Sequence, residues 1–226
     1  MFVDLPSRAH RTWHWAAPAL AIVAIAGYVA WLVAADPAAF LQRWGLQSGL
    51  QSGLAQGWRT LLAPARMATP FTSLFLHASA WHLVGNGLFL LIFGVPAERA
   101  LGPWRLLALF LLGGALANTL AAVLLVAPGR VIVGASGGIS AIIGAYLVLF
   151  PHARLGVVVP LGLWLEFVRA PAALLIGFWV VLQYLLTFAG PAVGAVAWWS
   201  HLGGFGAGVV MALAFRTAVR ERKRGR

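Results

Sequence analysis

The chain has 226 residues, of which 62% are apolar and only 9% charged, with a mean hydropathy of +0.89. Soluble domains run at about 45–50% apolar and about 25% charged, so an ordinary soluble globular protein and a disordered chain are both excluded. The formal net charge is +11, and the absence of cysteine excludes a disulfide framework, a thiolate metal site and a cysteine nucleophile.

Asp, Glu, Lys and Arg are missing from five windows, 12–35, 67–97, 106–129, 131–153 and 170–215. A bilayer-spanning helix needs about 20 mostly apolar residues. The first four windows each predict one span. The last predicts two, separated by the helix-breaking Gly190-Pro191. In chain order the expected spans are 15–35, 71–95, 104–126, 136–150, 171–189 and 196–215.

Arg8 and Arg11 precede the first span, which ends in Val33-Ala34-Ala35, as a signal peptide would. Its apolar run exceeds the usual 7–15 residues, so a retained span is expected. An outer loop, 36–70, follows. It carries a short duplication, Gly45-Leu46-Gln47-Ser48 then Gly49-Leu50-Gln51-Ser52, and an aromatic set, Phe40, Trp44 and Trp58. It reads equally as a tolerant loop and as an interfacial segment.

The fourth span is short. From Ser136 to Pro151 it has about 15 residues, less than the bilayer core requires, and the Gly-rich Val131–Gly137 precedes it. Non-helical backbone at membrane depth is tolerated only beside protein or water. A helix that starts inside the membrane predicts an internal aqueous site.

An even number of spans puts both termini on one side. That side holds Arg8, Arg11, Arg99, Arg105, Arg154, Arg169 and the basic run from Arg216 to Arg226, against Arg43, Arg59, Arg66 and Arg130 on the other. The excess predicts cytoplasmic termini in a plasma (inner) membrane. The expected layout is a cytoplasmic N-terminus (1–14), a membrane domain (15–215) and a basic cytoplasmic tail (216–226). After a span, such a tail reads as a partner for anionic lipid rather than for nucleic acid.

Polar side chains within spans are few: His77, His82, Asn86, Asn118, Ser136, Ser140, Gln183, Ser200 and His201. His82 and Asn86, four apart, share a helix face, while His77 lies about 140° from His82 in a straight helix. No His-Glu-x-x-His and no paired intramembrane carboxylates occur, so no metal site and no two-carboxylate hydrolysis is expected. A serine route stays open. Gly134-Ala135-Ser136-Gly137 puts a hydroxyl at a glycine-lined helix start, where unpaired N–H groups suit an oxyanion. The base is one of His77, His82 and His201, and with no acid to orient it a Ser-His dyad is expected rather than a triad. Gly134-x3-Gly138 and Gly204-x3-Gly208 also fit plain helix packing.

Taken together, His77-x4-His82-x3-Asn86, Gly134-x-Ser136-Gly137 and His201-x2-Gly204-x3-Gly208 resemble the rhomboid family of intramembrane serine proteases over about 71–215. The resemblance is to the bacterial type, and a composition rich in Ala, Leu, Gly and Arg fits that source. It implies an all-α, six-transmembrane-helix bundle whose short fourth helix starts inside the membrane. It implies Ser136 as nucleophile, His201 as base, and His82 and Asn86 as oxyanion donors. His77, Gly134, Gly137, Gly204 and Gly208 support them, and no cofactor is needed. The implied substrates are transmembrane proteins in the lipid bilayer, cleaved in or near a locally unwound span after a small residue.

Glu98-Arg99-Ala100-Leu101-Gly102 resembles the family's cytoplasmic turn. Two features depart from the pattern. Ser140 stands where many members carry an aromatic that packs on the base, with Trp198 or Trp199 as substitutes. Trp58-Arg59 lies well ahead of His77, farther than the family's outer-loop Trp-Arg pair, and receives no role. The rival readings are an inactive relative that binds membrane proteins and a small proton-coupled transporter using His77, His82 and His201.

Overall fold

The computed structural model describes residues 14–48, 63, 66–124, 130–161, 164–189 and 198–215, with the backbone alone over 157–161, 164–167 and at 189. The chain is mostly helical, as its long apolar windows dictate. The helices are α1 (Ala16–Leu32), α2 (Pro37–Trp44), α3 (Thr69–Thr72), α4 (Ala80–Leu101), α5 (Pro103–Leu124), α6 (Ser136–Leu149), α7 (Ala172–Ala189) and α8 (Trp198–Ala214). Among the described residues, α4 and α5 are long and apolar enough to cross a bilayer, at 22 residues each with mean hydropathy 1.5 and 2.1. Shorter apolar helices include α1 and α6. Trp58-Arg59, the second half of the duplication, Gly190-Pro191, the basic tail and all of the expected N-terminus (1–14) except His14 lie outside the described residues.

Each long helix contains one widened π turn, Leu90–Gly94 in α4 and Leu109–Gly113 in α5. The first lies just ahead of Pro96, whose ring nitrogen has no proton to give the helical ladder. Gly102, with φ of 90°, turns the chain between the two helices, and Pro103 starts the second. Glu98, in the last turn of α4, is fully buried. Its two oxygens accept from Ala16 N and Ala17 N, both at 2.9 Å, and so cap the start of α1. A carboxylate there satisfies two orphan N–H groups and complements the helix dipole. Trp15 meets Trp104 edge-on at 5.5 Å at the same end.

Helix α6 forms the centre, buried from Gly137 through Tyr146. Small residues let its neighbours come close. A Cβ at Gly208 of α8 would strike the Ala141 backbone, one at Gly204 the Gly137 carbonyl, and one at Gly144 the Phe205 carbonyl. The pair Gly204-x3-Gly208 is therefore a packing surface between α8 and α6, whereas in the pair Gly134-x3-Gly138 the first glycine faces His82 of α4 and the second Phe110 of α5.

Three regions differ from expectation. The second span does not begin at Phe71: α3 and a 3-10 turn (Ser73–Phe75) are followed by a non-helical stretch, and α4 starts at Ala80. Ser79 is its cap, with the hydroxyl accepting from His82 N at 3.2 Å. The outer loop contains α2, capped by Asp36 accepting from Ala39 N at 2.9 Å, and a strand β1 (Leu46–Gln47). That strand pairs antiparallel with β2 (Val131–Ile132). Between α6 and α7 the chain forms an antiparallel hairpin, β3 (Arg154–Leu161) and β4 (Trp164–Pro171), with Arg154 opposite Pro171. The β-branched run Val157-Val158-Val159 favours this extended form, so a wholly α-helical chain is corrected in these two small sheets.

Candidate active site

The segment leading to Ser136 is pinned before the helix begins. The β1–β2 pair holds Val131 and Ile132, Arg130 N donates to Ser48 Oγ at 3.1 Å, and Gly134 N donates to Ser73 O at 2.9 Å. Gly134 has φ of 127°, a conformation open to glycine and strained for any L side chain. Ala135 occupies the N-cap position of α6 and supplies no side-chain hydrogen bond. The first N–H groups of α6 are thus uncapped by a side chain, at the positive end of the helix dipole, with the half-buried Ser136 at the first helical position.

Helix α4 brings His82 and Asn86 to the same place. The imidazole lies over Gly134: a Cβ on that glycine would sit 2.7 Å from His82 Cε1, 2.9 Å from Nε2 and 3.7 Å from Ser136 Oγ. Asn86 Nδ2 donates to His82 O at 3.0 Å, which leaves its second amide proton for another acceptor. His77 is fully buried, and its ring meets His82 edge-on at 5.1 Å. The 140° separation expected of a straight helix does not hold, because His77 precedes the Ser79 cap and the chain turns between them.

His201 on α8 is held from two sides. Its Nδ1 lies 2.5 Å from Gln183 Oε1 of α7. Trp179, one turn before Gln183, has its ring 6.1 Å away at 31°, and Trp198 approaches edge-on at 5.8 Å and 80°. Ser140 takes no part: its hydroxyl donates back to Ser136 O at 2.7 Å, the local bond that serine commonly makes inside a helix. Trp199 packs instead with Leu46, Ala121, Ala122 and Ile132. Of the two expected substitutes for an aromatic at position 140, Trp198 touches the base candidate and Trp199 does not.

These groups open onto one cavity of about 320 Å³. Helix α4 lines it with Trp81, His82, Gly85, Asn86 and Phe89. Helix α6 adds Ser136, Ile139, Ser140 and Ile143, and Trp179, Trp198 and His201 complete it. Ser136 and His201 face the same space with no hydrogen bond between them. A hydroxyl, an imidazole and a group of N–H donors around one apolar cavity can support nucleophilic attack on a carbonyl.

Behind Ser136 lies a buried polar chain. Asn118 Nδ2 donates to Ser73 Oγ at 3.1 Å, and Ser200 Oγ donates to Asn118 Oδ1 at 2.6 Å. Gly137 faces it, since a Cβ there would lie 2.6 Å from Ser200 Oγ and 2.9 Å from Asn118 Oδ1. Ser73 and Trp179 escape the sequence reasoning altogether, and Gln183, Asn118 and Ser200 are named there only as polar residues within spans. The i, i+4 spacing of Trp179 and Gln183 is a signal that could have paired them on one face.

A family profile described as the rhomboid domain matches residues 64–218. The chain is 29% identical over 164 residues to rhomboid protein 1, mitochondrial, of Saccharomyces cerevisiae, covering 68% of this chain and 43% of that protein. It is 38% identical over 78 residues to rhomboid-related protein 1 of Caenorhabditis elegans, covering 34% of this chain and 21% of that protein. The match therefore spans less than half the length of each of these relatives.

Proposed function

The chain belongs to the rhomboid family, and from that premise we propose that it is an intramembrane serine endopeptidase acting on transmembrane proteins. The observation that carries the reading is the shared cavity: Ser136 at the start of α6 and His201 of α8 line it together with His82 and Asn86.

In the proposed reaction Ser136 Oγ attacks the scissile carbonyl carbon and passes its proton to His201. The carbonyl oxygen takes the negative charge against the Ser136 N–H, the His82 ring and the free Asn86 amide proton. Collapse expels the amine, which takes the proton from His201, and leaves an ester on Ser136. Water, deprotonated by His201, then releases the acid. Peptide carbonyls in a helix are hydrogen-bonded, so the substrate segment unwinds before attack, and helix-destabilising residues near the cleavage point favour it. A small residue precedes the scissile bond.

The proposed setting is a bilayer crossed six times, by α1, α4, α5, α6, α7 and α8. Both termini and the basic tail 216–226 lie on the cytoplasmic side, where the arginine excess falls. Helices α6 and α8 are shorter than a full span, at 14 and 17 residues. A span of that length is admitted where protein and a wet cavity surround its end.

A second reading, an inactive relative that binds membrane proteins, draws on the missing hydrogen bond between Ser136 and His201. One experiment separates the two. Purified wild type, Ser136→Ala and His201→Ala are exposed to a fluorophosphonate probe and to a single-span substrate protein. The protease reading expects labelling and cleavage by wild type and neither by the variants. Binding without labelling or cleavage supports the inactive relative.

A further inference from the structure

The apolar helix α7 buries one strongly polar side chain. Leu174, Phe178, Val181, Tyr184, Leu185 and Phe188 on α7 are all more than half exposed, facing outward. Gln183 is only 4% exposed and points inward, with Oε1 2.5 Å from His201 Nδ1. A carboxamide in such a place is costly without a partner. The partner it has is the imidazole that the proposed reaction uses as its base.

The chemistry of that contact is directional. An amide oxygen only accepts, so the hydrogen between Oε1 and Nδ1 belongs to the ring. A neutral imidazole carries one proton. With it on Nδ1, Nε2 keeps its lone pair and is the nitrogen left to receive the serine proton. The opposite tautomer would present an N–H to Ser136 and could accept nothing from it.

We propose that Gln183 is a positioning residue for His201, its amide oxygen fixing both the Nδ1–H tautomer and the ring orientation. The inference rests on the protease reading and adds a third member that the acid-poor sequence conceals. When Nε2 takes the serine proton, the Nδ1–H···Oε1 bond gains charge and strengthens. Trp179, on the same face of α7, covers the ring from the side. One helix thus supplies both the hydrogen-bond acceptor and the aromatic wall for the base, while Ser140 supplies neither.

The test uses the full chain in detergent or nanodiscs. Gln183→Leu removes the acceptor at similar size, Gln183→Asn keeps the amide but shortens its reach, and Gln183→Glu restores an acceptor. The expected result is a fall in kcat of about 10- to 100-fold for the Leu and Asn variants, by analogy with metal-bound histidines that lose the hydrogen-bond partner of their second nitrogen. KM should stay within about twofold, and Gln183→Glu should recover most of the lost rate.

An independent readout is the nitrogen spectrum of 15N-histidine protein, with the His201 signal identified by its loss in His201→Ala. Wild type should show the Nδ1–H form, and Gln183→Leu a shift toward the other tautomer. Normal kcat in a folded Gln183→Leu, or lost activity with the tautomer unchanged, overturns the proposal. If Gln183→Leu aggregates, Gln183→Asn decides by the same two measurements. Failure of wild type to label or cleave, or full labelling of Ser136→Ala, overturns the protease reading instead, and the spectrum still judges the contact.

Discussion

Gly134 and His82 meet where no side chain could intervene: a Cβ on the glycine would fall 2.7 Å from the imidazole Cε1. The same glycine has φ of 127° and gives its N–H to Ser73 O. Local backbone conformation, helix docking and the approach of a proposed oxyanion donor are therefore set at one residue.

Gly134→Ala should accordingly cost more activity than stability. Holding a side chain at that positive φ costs roughly 1–3 kcal/mol, and the methyl displaces the His82 ring from Ser136. Loss of one oxyanion donor lowers kcat by about 10²–10³. Cleavage rates per folded molecule should fall to that range, with His82→Ala close to it. A Gly134→Ala enzyme that works at the wild-type rate would show that His82 need not lie there.

Gly208 and Gly206 lie two apart on α8 and should respond in opposite ways. A Cβ at Gly208 would overlap the Ala141 backbone, whereas one at Gly206 meets nothing within 4 Å. Gly208→Ala forces α8 away from α6 and with it His201 from Ser136. The expectation is destabilisation of about 1–3 kcal/mol and near-complete loss of cleavage. Gly206→Ala should leave both within error or add up to about 1 kcal/mol of helix stability. Thermal unfolding in detergent and cleavage of a single-span substrate measure the contrast, and equal behaviour of the two variants would refute it.

These contrasts mark what the sequence can and cannot express. An apolar run reports that a segment leaves water, so α6 is foreseen at 136–150 and found at Ser136–Leu149. The same signal overextends α4 to Phe71, because hydropathy does not register the Ser79 cap that turns the chain. The grouping of Ser136, His82, Asn86 and His201 was legible through the family resemblance, and the cavity brings all four together. Gln183 was visible as a polar residue in a span, but its partner was not. Which helix faces which around a bundle is a tertiary fact that no helical spacing records. The β3–β4 hairpin was hidden for another reason: Arg154 and Arg169 bound it like any short loop between spans, and its pairing depends on register across the turn.

Glu98→Gln tests a carboxylate that acts far from the cavity. Both oxygens of Glu98 accept N–H groups from the start of α1. A carboxamide offers one oxygen and turns an N–H toward the second donor, leaving buried polar groups unpaired. The cost expected is about 1–3 kcal/mol. It should appear as a lower unfolding temperature, with fluorophosphonate labelling per folded molecule unchanged. Unaltered stability would mean that the cap contributes no net energy.

The Asn118 chain invites a double-mutant cycle. Asn118 receives the Ser200 hydroxyl and donates to Ser73, joining α5 to α8 and to the turn that holds Gly134. Asn118→Leu strands the buried Ser200 hydroxyl, while Ser73 Oγ keeps its bond to Pro70 O at 3.2 Å, and should cost about 1–3 kcal/mol. Ser200→Ala alone strands one acceptor. In the double variant the stranded Ser200 hydroxyl is gone, so the combined loss should fall short of the sum by at least about 0.5 kcal/mol. Reversible unfolding of the four proteins measures the coupling. Strict additivity would mean that the 2.6 Å contact between Ser200 and Asn118 carries no energy of its own.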